Sequence, residues 1–200
     1  MEKTITTDTS LVRCGWVSTH PLYQQYHDQQ WGRPVVDEIE LFAKLCLDGQ
    51  QAGLSWFTIL KKQKNYESAF FQFDPEKIIK MTDEDVEQRM QNKGIVRNRL
   101  KINSIIRNAN AFLAIKEKRS FSDFIWQFTN GKTIPNAWKS LSEVPTSTAE
   151  SDAMSKALKQ AGFNFVGTTI CYAFMQAVGI VNDHTVDCHC YEEVNAIAIK

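Results

Sequence analysis

A group of aromatic side chains and one acid could do chemistry together in this chain. Trp16, Tyr23, Tyr26 and Trp31 crowd the N-terminal third, and Trp56 closes the run Leu47-Asp48-Gly49-Gln50-Gln51-Ala52-Gly53-Leu54-Ser55-Trp56. Faces of Trp and Tyr suit a flat heterocycle, and a cationic one gains further attraction from the ring quadrupoles. Asp48 stands where a helix meets the Gly49–Gly53 turn. A buried carboxylate there would accept hydrogen bonds from an exocyclic amine. The plainer alternative has the rings filling core between two lobes and Asp48 capping a turn.

A second pattern suits phosphate. The run Leu158-Lys159-Gln160-Ala161-Gly162-Phe163-Asn164-Phe165-Val166-Gly167-Thr168-Thr169 reads helix, glycine-bounded turn, helix. Gly162 can take a left-handed conformation. Gly167 and the amides after it would open the next helix, whose unpaired N–H groups and positive dipole end suit an anion. Lys156 and Lys159 lie close by. A plain helical hairpin is the alternative. The stretch from Asn92 to Lys101 adds Lys93, Arg97, Arg99 and Lys101 at the start of another amphipathic helix. Those cations are expected on one side of that helix start.

Thiols and imidazoles form a third group. Cys14, Cys188 and Cys190 sit in polar, turn-like surroundings near His27, His184 and His189. The count of 5 cysteines is odd and no secretion signal is visible, which argues against a disulfide framework. Cys46 and Cys171 fall inside apolar helical patterns and read as buried small hydrophobes. The polar trio needs another explanation.

The elements that must carry these residues read as helices. Leu41, Phe42, Leu45 and Cys46 share one helical face. Trp56, Phe57, Ile59 and Leu60 begin another. Thr82 stands as an N-cap before the acidic segment Asp83 to Met90. Ile102, Ile105, Ile106, Ala109, Phe112 and Leu113 make the cleanest amphipathic stripe. Phe121 to Phe128 reads as a short buried helix. Ser147 and Glu150 have capping-box spacing before Ala153, Met154, Ala157 and Leu158. Ile170, Cys171, Phe174, Met175 and Val178 form a last strong helix. Trp16 to Trp31 reads as loop-rich, and Asn130 to Pro145 is the longest irregular connection. No period-two alternation appears, so the expected fold class is all-α.

Composition sets the outer limits. The chain has 200 residues, enough for one domain or one domain in two lobes. Its 23 lysines and arginines balance 23 aspartates and glutamates, which counts against a grip on nucleic acid by bulk charge. No apolar run is long enough to cross a bilayer. Residues 1–11 are polar and Thr-rich without the apolar core of a signal peptide, so a loose segment and a cytoplasmic location are expected.

The two glycine-containing turns together resemble the helix-hairpin-helix architecture of the endonuclease III superfamily of base-excision glycosylases. Longer motifs narrow the resemblance. Arg13-Cys14-Gly15-Trp16, Pro21-Leu22-Tyr23, Tyr26-His27-Asp28, Trp31-Gly32, Gly49 to Trp56, Gly162 to Thr169 and Asn182-Asp183-His184 closely resemble the bacterial 3-methyladenine DNA glycosylases of type I. The likeness runs from Cys14 to about Cys190. It implies a helix-hairpin-helix glycosylase domain over residues 12–190, after a flexible segment 1–11 and before a tail 191–200. The implied activity is hydrolysis of the N-glycosidic bond of 3-methyladenine in alkylated double-stranded DNA, by a cytoplasmic monomer without a membrane partner. Free 3-methyladenine would be the product.

The resemblance also assigns roles. It places a base pocket on Trp16, Tyr23, Tyr26, Trp31 and Trp56, with Asp48 as the catalytic carboxylate. It places a wedge into the DNA stack on Gly53 and Leu54, and phosphate contacts on Phe163, Phe165, Gly167, Thr168 and Thr169. It places one structural zinc on Cys14, His27, His184 and Cys188. Two thiolates and two imidazoles make a closed tetrahedral set. His184 and Cys188 are spaced i, i+4, and the ion would clasp the two ends of the chain; His189 and Cys190 stand as possible competitors. The family usually has Glu where this chain has the shorter Asp48. Thr169 stands where related lyases carry a lysine, and Asn182 where the superfamily has its catalytic aspartate, so no strand cleavage is expected. A lesion-binding protein without turnover, or a zinc-clasped interaction module, are the competing functions.

Overall fold

The stripe Ile102, Ile105, Ala109 and Phe112 becomes the inner face of the longest helix, α7 (Arg99–Lys116), in a computed structural model that describes residues 11–199. Around α7 pack α2 (Glu38–Gln51), α5 (Pro75–Ile78), α6 (Asp83–Gln91) and α8 (Phe121–Trp126). Phe42 and Phe121 both meet the Phe112 ring, at 5.0 and 4.7 Å between centroids. Helix α9 (Ala149–Gln160) lies against α10 (Thr168–Ala177), and α10 against α2. The remaining helices are α1 (Pro21–Gln29), α3 (Trp56–Leu60), α4 (Gln63–Ala69) and α11 (Tyr191–Ile197). The protein is mostly helical, as the periodicity predicts.

Local chemistry sets the helix starts. Asp37 caps α2 by accepting from the Glu40 N–H at 2.8 Å, with Glu38 and Glu40 in the favoured first turn. Thr82 and Asp85 form a full capping box on α6. The box on α9 differs from the expected one: Thr148 and Ser151 form it, one residue beyond Ser147 and Glu150. Several Ser and Thr side by side make such a start ambiguous in sequence.

Two further departures matter. The segment Trp16 to Trp31, read as loop-rich, contains α1. Pro21 opens this helix, and His20 caps it by accepting from the Leu22 N–H at 3.2 Å. Its buried face is Tyr26 and His27, not an aliphatic stripe, so the periodicity is hidden. The chain also holds a short parallel ladder, β1 (Ile134–Pro135) beside β2 (Val181–Asn182), with Ile134 paired to Val181. Two residues per strand cannot display alternation. The expected loose segment 1–11 lies, but for Leu11, outside the described residues.

Apolar side chains collect in two clusters. The larger holds α2, α7, α8, α9 and α10; the smaller gathers Cys14, Tyr26, Trp31, Leu60, Ala177, Cys188, Cys190 and Val194. Trp56 packs against both. The functional side chains sit along this junction. No described helix is long and apolar enough to cross a membrane.

Candidate active site

A cavity of about 190 Å³ opens at the junction. The expected aromatic residues all line it: Trp16, Tyr23, Tyr26, Trp31 and Trp56. Trp16 stands centrally, 5.1 Å from Tyr23 and 5.0 Å from Trp31 between ring centroids, and Trp56 lies 5.3 Å from Tyr26. The rings meet edge-on or tilted, and a hollow remains between them.

Asp48 also lines this hollow, from the last turns of α2. It is 3 % exposed and its Oδ2 has no hydrogen-bond partner. Burial pushes its carboxyl up to about 8, against a weaker pull from the Lys44 charge. Buried polar atoms are normally satisfied, so an orphaned carboxyl oxygen in a cavity marks a place for a ligand group. The Trp56 indole N–H is buried and unpartnered as well. Protonated, Asp48 offers one donor and one acceptor.

Sequence reasoning missed the opposite wall. Leu141 and Val144 come from the irregular connection after β1, Ala173 and Gln176 from α10, and Asp183 and Thr185 follow β2. Asp183 is 2 % exposed. Its Oδ1 accepts from Asn136 Nδ2 at 2.7 Å and Trp138 Nε1 at 2.8 Å; its Oδ2 accepts from the Tyr172 hydroxyl at 2.7 Å and Gln176 Nε2 at 2.8 Å. Four donors occupy both oxygens, so this carboxylate holds the wall together. Asn182, its neighbour, turns away and donates to Asn195 Oδ1 at 2.8 Å. The signal in sequence was only the polar triplet Asn182-Asp183-His184, since a loop's route cannot be read from its composition.

Cys14, His27, His184 and Cys188 come together, all buried, with one ligand atom from each within 4.8 Å of the others. His27 Nδ1 lies 2.7 Å from Asp28 Oδ1, and a carboxylate only accepts, so His27 Nε2 faces the cluster with its lone pair. His184 Nε2 donates to the Trp31 carbonyl at 3.3 Å, which leaves Nδ1 at 3.5 Å from Cys14 Sγ and 3.4 Å from Cys188 Sγ. Both imidazoles are thus oriented by a partner behind them, as metal-ligating histidines are. Burial raises the Asp28 carboxyl, but hydrogen bonds from Arg13, His27 and His189 outweigh it and hold it at about 2. Cys190 instead lies in a separate group with His27, Asp28 and His189. A soft N and S donor set of this kind can hold a metal ion. Cys14 belongs to both the cluster and the cavity wall, and the carbonyl of the wall residue Trp31 accepts from His184, so the two are mechanically joined.

The turn candidates divide. Gly53 has φ +74° and Leu54 is 41 % exposed beside it. In the α9–α10 hairpin, Gly162 has φ +100° and Phe165 is held at φ +57°, a region that non-glycine residues seldom occupy. Asn108 clamps the turn by accepting from Asn164 N–H at 2.7 Å and donating to Asn164 O at 3.2 Å. Gly167 caps α10 without any side-chain bond to the first amides. Thr169 is exposed, whereas the Thr168 hydroxyl is engaged by Ser151 and Asp152. Phe163 is a core residue, its ring stacked 5.9 Å from Phe121. The expected one-sided cluster of cations also breaks up. Lys101 is buried, and Arg99 pairs with Glu87. Lys156 and Lys159 stay exposed beside the hairpin.

The family model of the methyladenine glycosylases matches residues 16–191. This chain belongs to the methyladenine glycosylase family. It is 57 % identical over 180 residues to DNA-3-methyladenine glycosylase 1 of Escherichia coli strain K12, covering 90 % of this chain and 96 % of the relative. A crystal structure of 3-methyladenine DNA glycosylase I superposes with a TM-score of 0.89 at 55 % identity, over 90 % of this chain and 100 % of the other. A variant of such a glycosylase crystallised with 3-methyladenine superposes at 0.87 with 38 % identity, over 90 % and 97 % of the two chains. Within this methyladenine glycosylase, the hollow and the metal-ligand cluster lie along one seam, and the hairpin packs against the helix that carries Asp48.

Proposed function

We propose that this chain is a DNA-3-methyladenine glycosylase that hydrolyses the N-glycosidic bond of 3-methyladenine in alkylated double-stranded DNA. The observation that carries this reading is Asp48: a buried carboxyl with an unpartnered oxygen, in a hollow walled by Trp and Tyr rings. Adenine presents an N6 amine donor beside the N7 acceptor. A protonated carboxyl answers both, and it meets guanine, which offers two acceptors there, less well.

The glycosidic bond is unreachable inside a duplex, so the nucleotide must first be extruded. Leu54 is placed to fill the gap, and the amides opening α10, with Lys156 and Lys159 nearby, to hold phosphate. This is the helix-hairpin-helix role for residues 162–169. N3-methylation makes the base a cation that departs neutral, so the bond is already weak. Binding and orientation then supply most of the catalysis. With Thr169 at the position a lyase would give to lysine, the reading is of a simple hydrolase.

Cys14, His27, His184 and Cys188 would hold one zinc ion. Four protein ligands leave no open position, so the ion would be structural: it would tie residues near both ends of the chain beside Trp16 and Trp31. The proposed unit is residues 12–190, acting as a cytoplasmic monomer.

Chromatography of bases released from methylated duplex DNA tests the function. Release of 3-methyladenine is the expected result. Binding to that DNA without release would favour a lesion-binding protein instead.

A further inference from the structure

A buried network behind the Gly53–Leu54 turn has no part in the reading so far. Lys101 is 6 % exposed, rare for a lysine. Its ammonium donates to Gln50 O and to Ala52 O, both at 2.7 Å. These carbonyls end α2, where unpaired acceptors and the negative dipole end favour a cation. Gln50 reaches back, donating to Lys101 O at 3.1 Å, while its Oε1 accepts from the Tyr66 hydroxyl at 3.3 Å. That hydroxyl accepts in turn from the Val96 N–H at 3.1 Å.

Burying an ammonium is costly unless hydrogen bonds replace its water. Here the bonds go to the two residues that flank Gln51, immediately before Gly53 at φ +74° and the projecting Leu54. The Leu54 N–H closes the same turn onto Gln51 O at 2.6 Å. The lysine thus ties the base of the turn to α7, with its charge turned away from solvent.

We propose that Lys101 is a positioning residue for base extrusion: it fixes how Leu54 projects, without touching base or phosphate. This rests on the glycosylase reading above. Duplex DNA must be unstacked and its gap filled, whereas a single strand has no opposing stack to restore. Lys101→Met should therefore lower release of 3-methyladenine from methylated duplex about tenfold more than from methylated single strands. Affinity for free 3-methyladenine should change little. Leu54→Ala should give the same selective loss, and adding Lys101→Met to it should cost nothing further, since both act through one side chain.

Equal losses on both substrates, or additive losses in the double variant, would overturn the proposal. If Lys101→Met does not fold, as judged by its thermal melt, Lys101→Gln keeps one donor and should show the same selectivity more weakly. Wild-type protein that releases no 3-methyladenine from either substrate would instead defeat the glycosylase reading itself.

Discussion

A Cβ built on Gly49 would lie 3.2 Å from both the Cβ and the carbonyl oxygen of Phe165. The residue after Asp48 is thus in close contact with the α9–α10 hairpin. An added methyl here requires α2 or the turn to yield by a few tenths of an ångström. Gly49→Ala should force the two apart, at a cost of about 1 kcal/mol after the gain in helix propensity. Base release should fall by more than that stability loss explains, because both the acid and the hairpin shift. Melting curves and released-base assays on one preparation check this; full activity would show that the hairpin moves without disturbing Asp48.

Much of this arrangement was legible in the sequence. Helices with aliphatic stripes, such as α7, announce themselves because their burial is one-sided and periodic. The pocket rings and the cysteines and histidines of the cluster were legible as types that need partners. What stayed hidden depends on long-range routes. Helix α1 buries Tyr26 and His27, which carry no aliphatic period. Lys101 reads in sequence as one of four cations on one side of a helix start, whereas the carbonyls at the end of α2 that receive it lie 49 and 51 residues away. Asp183 gathers donors from positions 136 and 138, across an irregular loop whose path no local signal sets.

Asp48 gives a stability prediction with a definite sign. In the folded protein its pKa of about 8 lies above the ordinary value of 3.8. Between these values the unfolded chain loses the proton and the folded chain keeps it. Stability contributed by this group therefore falls as pH rises from about 4 to about 8 and is flat outside that window. Asp48→Asn has no proton to lose. It should be more stable than the parent at pH 7, by on the order of 3 kcal/mol, with little difference near pH 4. Base release should nevertheless drop. Melts at both pH values decide it, and an unchanged melting point at pH 7 would mean the folded carboxyl is already ionised.

The cluster of Cys14, His27, His184 and Cys188, if it holds zinc as proposed, predicts a contrast between neighbouring cysteines. Cys188 Sγ lies 3.5 Å from His27 Nε2 and 3.4 Å from His184 Nδ1, whereas Cys190 groups with His27, Asp28 and His189 and not with His184 or Cys14. Cys188→Ser should lose bound zinc and melt several degrees lower; Cys190→Ser should keep its metal. A chelator should lower the melting temperature of the parent and of Cys190→Ser, and leave Cys188→Ser nearly unaffected. Metal analysis with melting curves provides the check. Stoichiometric zinc in Cys188→Ser would move the ligand role to another side chain.

Asp183 makes the strongest claim on the pocket wall. Two donors from the loop after β1 and two from α10 converge on its oxygens. Asparagine in its place would turn an amide N–H₂ toward one pair of these donors and leave them unpaired in a buried setting. Asp183→Asn should therefore cost on the order of 3 kcal/mol. Tyr172→Phe removes one donor only and should cost about 1 kcal/mol. The loop carrying Leu141 and Val144 is released first, so affinity for free 3-methyladenine should fall while zinc content stays the same. The Trp138 indole proton reports this directly by NMR, since it is held 2.8 Å from Asp183 Oδ1. Its resonance should shift and its solvent exchange should quicken in Asp183→Asn. If affinity for the free base is unchanged while the indole proton exchanges freely, the loop is not a wall of the working pocket.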